Sequence, residues 1–241
     1  MLKRLNPLTV LAVCLVWILA TTLVFRAPFQ LAAILLFAAM LLASRAVSPL
    51  AFLGLMVPFA LFGFGFFTTN VLFRQENAAA VAVFSADLAR SDALGAGLVL
   101  FLRALAGGTI SIFFAFSIDP GALVRAAMAY GRLPPRIAYS LFAAMQIVPD
   151  LAAKANQLRL AEAMRRGRGL RRVPGPGELF RLLIPLIAFA IRRAGRTAIA
   201  MEARGFDAGR ARTILDVPGF CRRDAAFAAV LAACLALCLA L

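Results

Sequence analysis

The chain has 241 residues, 63% of them hydrophobic, a mean hydropathy of +0.90 and a formal net charge of +15 with no histidine. Soluble domains run about 45–50% apolar, so the composition excludes an ordinary soluble globule and indicates an integral membrane protein. The missing histidine removes the commonest metal ligand and the usual general base. Cys14, Cys221, Cys234 and Cys238 form no Cys-x-x-Cys pair and read as small apolar residues.

Lys3 and Arg4 precede an uncharged run, Leu8–Phe25. It is longer than the about 7–15 residues of a signal-peptide apolar region, and no small-residue cleavage site follows, so it is predicted to be a retained first span. A second, shorter run covers Phe29–Ser44 and stops at Arg45. The third, Pro49–Phe73, is Phe-rich, and its Gly54, Gly63 and Gly65 are expected to allow close helix approach. Arg74–Asp92 is a polar connection with a modest helical middle. The fourth run, Leu94–Ile118, carries Arg103, which reads as a snorkelling or packing residue rather than a substrate site. Asp224–Leu241, after Arg222 and Arg223, is the fifth. A crossing needs about 20 apolar residues. The positive-inside rule puts the N-terminus in the cytoplasm, the loop at 74–93 outside and the C-terminus outside.

Charge is concentrated between the fourth and fifth runs. Residues 119–217 hold 17 of the 26 Lys and Arg but only seven acids, a net +10. Such a block suits anionic lipid, nucleic acid or an acidic protein; nucleic acid is a poor fit to a chain committed mostly to the bilayer. Asp119-Pro120 is a helix start, with Asp as N-cap and Pro at the first helical position; the helix is predicted to end near Tyr130, before Gly131. A second helix begins at Pro134-Pro135, continues past Pro149 and ends near Arg166. A turn rich in Gly and Pro follows, and a third helix runs from Glu178 to Arg204. The second and third are apolar early and basic late. Each apolar half is too short to span a membrane, so both helices are expected to lie partly in the inner interface with their basic ends in the cytoplasm.

Two of these helix ends share a pattern. Met201-Glu202-Ala203-Arg204-Gly205-Phe206 closes the third helix, and Ala161-Glu162-Ala163-Met164-Arg165-Arg166-Gly167 closes the second. Small residues beside an arginine let a partner backbone approach while the guanidinium forks onto a carboxylate. The blander reading is a glycine-capped end with a solvated arginine that complements the helix dipole. Glu162 is spaced to pair with Arg166.

These residues carry a family resemblance. The chain resembles the transmembrane T component of energy-coupling factor transporters, the bacterial ATP-driven importers of vitamins and metal ions. Asn6-Pro7-Leu8-Thr9 is similar to the family's Asn/Asp-Pro near its start, Asp119-Pro120 to its Asp-Pro helix, and Leu133-Pro134-Pro135 to its Leu-Pro-Pro element. Ala203-Arg204-Gly205 reproduces its Ala-Arg-Gly motif letter for letter. The first motif departs from that pattern as Met164-Arg165-Arg166-Gly167, where either Arg165 or Arg166 takes the central place. The likeness follows the order of elements over the whole chain and is strongest over 119–213.

The resemblance implies an all-α polytopic membrane protein with about five transmembrane helices and a cytoplasmic or interfacial layer of three coupling helices. Residues 1–118 would be the N-terminal membrane region, 119–217 the coupling region and 218–241 the last span. It implies a non-catalytic subunit of the bacterial inner membrane, with no cofactor and no metal. Its partners would be two ABC-type ATPase subunits, a substrate-binding S component and membrane lipid. Ala203, Arg204, Gly205, Arg165, Arg166 and Gly167 would be the ATPase-coupling motifs, supported by Glu202, Glu162, Asp119 and Pro120. The residues agree with a subunit that hydrolyses nothing itself: Lys3 and Lys154 are the only lysines, and neither sits in a Gly-x-x-x-x-Gly-Lys-Ser/Thr loop. An ion-coupled secondary transporter would keep acids or histidine in its spans, yet the first three spans carry no charge and the fourth only Arg103. A membrane enzyme would need a titratable cluster, and a purely lipid-binding scaffold would not explain two Arg-Gly helix ends.

Overall fold

The computed structural model describes residues 6–44, 47–72, 93–131, 133–167, 175–206 and 217–240, and among these every regular element is α-helical. In chain order they are α1 (Pro7–Leu23), α2 (Ala27–Ala43), α3 (Pro49–Leu72), α4 (Ala93–Ser117), α5 (Pro120–Tyr130), α6 (Pro135–Arg166), α7 (Pro176–Ala203) and α8 (Arg222–Ala240). Lys3, Arg4, Arg45, the connection at 74–92 and most of the turn between α6 and α7 lie outside the described residues. By length and composition α3 and the 94–117 stretch of α4 can each cross a bilayer, while α1 and α2 are shorter apolar helices of 17 residues. The chain is an all-α membrane protein.

Its contacts separate it into two compact units, Met1–Ala126 with Val217–Leu241, and Ala127–Asp216. In the first, α4 packs against α1, α2 and α3, and α8 packs against α1 and α2. Because every backbone polar group in lipid must be satisfied internally, these helices differ mainly in how their side chains fit. Aromatic residues centre the packing. Trp17 stacks on Phe29 at 6.3 Å between ring centres and meets Phe37 edge-on at 5.3 Å, and Phe37 meets Phe113 edge-on at 5.3 Å. All four rings are buried.

Small residues set the α3–α4 contact, as expected between helices in lipid, where van der Waals fit replaces the hydrophobic drive. A Cβ at Gly63 would stand 3.0 Å from Ala104 Cβ, one at Gly97 2.9 Å from the Phe67 ring and one at Gly108 2.5 Å from Phe59. Gly54 and Gly65, expected to share this role, face open space instead. They lie on the outward side of α3, which also exposes Leu53, Leu61, Phe62 and Phe64. The expectation therefore holds for Gly63 and is corrected for the other two. The sequence gives their spacing but not which side of α3 turns to α4.

The outer carbonyls of α1 are closed by side chains from neighbouring helices. Gln30 Nε2 donates to Thr21 O and Val24 O at 2.9 Å each, and Arg103 Nη2 donates to Thr22 O at 2.6 Å. The Arg103 guanidinium also lies 4.8 Å from the centre of the Phe25 ring, a cation–π distance. Arg103 thus acts as a packing residue that caps a helix end.

Replacing Gly108 by Ala is expected to force Phe59 aside and destabilise the protein by about 1–3 kcal/mol, the usual cost of overpacking. Gly54→Ala and Gly65→Ala should leave stability unchanged or slightly raised. Thermal unfolding in detergent separates the three; equal midpoints for all would contradict the assigned α3–α4 contact.

Candidate functional site

The second unit holds most of α6 and α7's surroundings in one place: α6, α7 and the end of α5. The chain enters it through α5. Asp119 caps that helix, with Ala122 N–H donating to its Oδ2 at 3.0 Å, and Arg125 lies 3.8 Å from the same oxygen. Pro120 occupies the first helical position, where a missing N–H costs nothing. The helix ends at Gly131, whose N–H donates to Ala127 O at 2.9 Å; a Cβ there would press to 2.8 Å from that oxygen.

α6 and α7 are clipped together by charge. Arg159 Nε donates to Glu178 Oε1 at 2.7 Å, Arg193 Nη2 lies 2.9 Å from Asp150 Oδ2, and Arg181 Nη1 lies 3.4 Å from Glu162 Oε1. The first pair is the shortest and the most enclosed, its side chains 16% and 26% exposed. Exposed pairs contribute about 0–1 kcal/mol, so this one is the strongest clip. Glu178 also sits in the first turn of α7, where a carboxylate offsets the dipole. The expected Glu162–Arg166 pair involves a side chain outside the described residues.

The direction of the pair follows from where these clips fall. Glu178, at the start of α7, meets Arg159 near the end of α6. At the other extreme Phe206, just past α7, packs edge-on against Tyr139 at the start of α6, 5.2 Å between ring centres. The helices are antiparallel. The apolar half of each therefore runs beside the basic half of its partner, and the expected separation into a greasy end and a basic end becomes a separation of faces. Ile137, Leu141, Met145 and Val148 form one exposed stripe on α6, and Phe180, Ile184, Ile187 and Ile191 another on α7, at the i, i+4, i+7 spacing of an amphipathic helix.

Antiparallel packing also decides where the two arginine ends go. Arg165 and Gly167 stand at one end of the pair; Ala203, Arg204 and Gly205 stand at the other. At about 1.5 Å per residue the separation is roughly 40 Å, so these residues form two places, not one cluster. Both ends are built alike. Gly167 and Gly205 adopt left-handed backbone, φ 60° and φ 75°, the conformation that favours glycine. At the second end Gly205 N–H donates to Glu202 O at 2.8 Å and Phe206 N–H to Met201 O at 2.9 Å, the paired bonds of a Schellman cap. Arg204, Glu202 and Ala203 are exposed there, as is Arg165 at the first end. Neither Arg165 nor Arg204 is in an ion pair among the described residues. Arg166 ends α6. Beside Arg165 a groove of about 360 Å³ is lined by Leu158, Glu162, Arg181, Leu182 and Pro185.

Sequence reasoning located both ends but missed the Phe206–Tyr139 contact that fixes them apart. An aromatic residue directly after a capping glycine was the available signal, because a residue at that position often packs back onto its helix or a neighbour. No group of three or more potential metal ligands occurs among the described residues.

The architecture defines an all-α membrane protein carrying a basic unit of two clipped, amphipathic helices. The chain belongs to the CbiQ family, described as cobalt transport protein, which matches residues 1–214 and so takes in both arginine ends. A comparison with curated proteins finds no match.

Replacing Gly205 by Ala is expected to cost about 1–2 kcal/mol, the price of left-handed backbone for an L-residue, with Asn better tolerated. Gly195, inside α7 with open space around its Cα, should respond to Ala in the opposite sense, by roughly 0.5–1 kcal/mol. Thermal unfolding of the purified protein checks both signs.

Proposed function

We propose that this chain is the membrane coupling subunit of an ATP-driven importer, the T component of an energy-coupling factor transporter. One ABC-type ATPase subunit docks at the Arg204–Gly205 end and a second at the Arg165/Arg166–Gly167 end. A substrate-binding S component lies in the membrane against the chain. ATP is hydrolysed by the two partners, and the clipped α6–α7 pair passes their motion on. The cargo is a metal ion or a vitamin, with cobalt the first to test from the family's description.

The observation that carries this reading is the roughly 40 Å separation of two exposed, αL-capped arginine ends on one rigidly clipped pair. Two separate partners can each take one end, and movement of either reaches the other through Arg159–Glu178 and Arg193–Asp150. Arginine suits the task because its fork can make two charge-assisted bonds to a carboxylate while the flanking Ala and Gly keep the approach clear. Glu202 and Glu162 belong to the last turn of each helix and Asp119 and Pro120 start the helix that leads into the unit, which fits supporting roles.

We place residues 1–118 and 218–241 in a bacterial inner membrane as five spans, with 119–217 as the coupling region on the cytoplasmic side. Asn6 and Asp224 are hydrogen-bonded at the N-terminal ends of α1 and α8, so these two helices start on the same side. That fits an inside N-terminus, a basic region on the same face, and α8 running outward.

In a co-expressed complex, Arg204→Ala should lower retention of the ATPase subunits by about tenfold or more, the loss expected for a charge-assisted bond, and abolish Co2+ uptake while membrane insertion persists. The first end should need Arg165→Ala together with Arg166→Ala. Co-purification and uptake measure both. An Arg204→Ala complex that docks and transports normally would refute the reading, and single changes at 165 and 166 that each abolish docking would refute the shared role.

A further inference from the structure

Asn6 and Asp224 are polar, buried to 1% and 3% exposure, and far apart in sequence. Four hydrogen bonds link them to each other, to α1 and to one short segment. Asn6 N–H donates to Asp224 Oδ1 at 2.8 Å, and Asn6 Nδ2 donates to Pro218 O at 2.9 Å. Leu8 N–H donates to Asn6 Oδ1 at 3.0 Å, and Cys221 N–H donates to Asp224 Oδ2 at 2.8 Å. Only the bond to Leu8 is needed to cap α1. The other three tie the segment Val217–Cys221 to the start of α1.

That segment has a particular place in the chain. The second unit ends at Asp216, and the first resumes at Val217. The chain therefore passes between the units twice. The first passage lies within a continuous helix, α5, which transmits displacement because its backbone bonds hold it stiff. On the far side of the second, the described segment Val217–Cys221 is non-helical, and a non-helical segment left untied would absorb displacement as slack. Asn6 grips it at Pro218, two residues beyond the boundary, where the ring also fixes φ.

We infer that Asn6 and Asp224 form a latch that holds Pro218–Cys221 fixed to α1 while the basic unit is driven, making them positioning residues for energy coupling. The inference rests on the coupling function proposed above. The Cys221 bond is the reach-back of an acid at the third position of α8 to the N–H of its cap residue, but a helix cap explains neither the bond from Asn6 to Pro218 nor the bond from Asn6 to Asp224.

Cys221 reports on the latch. It is the exposed member of the four free cysteines and its N–H is one of the latch donors. The complex with co-expressed ATPase subunits is labelled with a maleimide, with and without ATP. In the natural chain the Cys221 rate should not depend on ATP. Asn6→Ser keeps an N-cap oxygen for Leu8 but is too short to reach Pro218 as well. In that variant ATP turnover should speed labelling about tenfold, as expected when one buried hydrogen bond is lost, with ATP hydrolysis itself retained. A rise that is equal with and without ATP means a purely structural role, and overturns the inference. So does no rise, or an ATP-dependent rate in the natural chain. If Asn6→Ser does not accumulate, Asp224→Asn, which keeps the shape and one acceptor, takes its place with the same criteria; failure of both to accumulate makes the pair a folding element and also overturns it. A natural chain that retains no ATPase subunits refutes the coupling function instead, before any labelling is read.

Discussion

The charge clip between α6 and α7 is the constraint on which the basic unit depends. Arg159–Glu178 is short and largely enclosed on both sides, while Arg193–Asp150 and Arg181–Glu162 each have at least one half-exposed partner. Each is modest alone. Together with the Tyr139–Phe206 ring contact they fix register as well as proximity. The nine residues between Arg166 and Pro176 reach about 30 Å when extended, too little to return along a helix about 42 Å long, so the connection dictates antiparallel packing and the clips hold the register that keeps the two arginine ends at opposite extremes.

Clips of this kind would suit the coupling role proposed for this unit. Apolar packing would hold α6 and α7 too, but both spend their apolar stripes outward, on Ile137 to Val148 and Phe180 to Ile191. Those surfaces are then available to membrane or to a membrane-embedded partner, and polar contacts do the internal holding. The glycine caps serve the same economy. A left-handed glycine ends each helix abruptly, so the arginine before it stands at a terminus and not along a side.

The membrane unit solves a different problem. With lipid outside, there is little hydrophobic gain from bringing helices together. Fit decides instead, through Gly63, Gly97 and Gly108 between α3 and α4 and through the Trp17, Phe29, Phe37 and Phe113 rings at the centre. Helix ends are closed by neighbours: Gln30 and Arg103 at the far end of α1, Asn6 and Asp224 at its near end. The half-buried arginine in the fourth span reads from the sequence as a snorkelling or packing residue. Here its hydrogen bond to a helix end gives it a structural task.

The local features were legible in the residues. Runs without charge, Asp119-Pro120, Pro134-Pro135, and an arginine followed by glycine encode helix starts and stops through capping and backbone preference, which act over four or five residues. The helices fall within a few residues of their expected limits for that reason, and both candidate ends were identified with Arg204 and Arg165 in place. The sequence could not say which of Gly54, Gly63 and Gly65 faces α4, that Asn6 reaches Asp224, or which residues of α6 and α7 meet in the register that holds their arginines roughly 40 Å apart. Those are facts of pairing between distant residues. Periodicity gives a helix its faces, but only side-chain fit and charge pairing in three dimensions decide which face meets which neighbour.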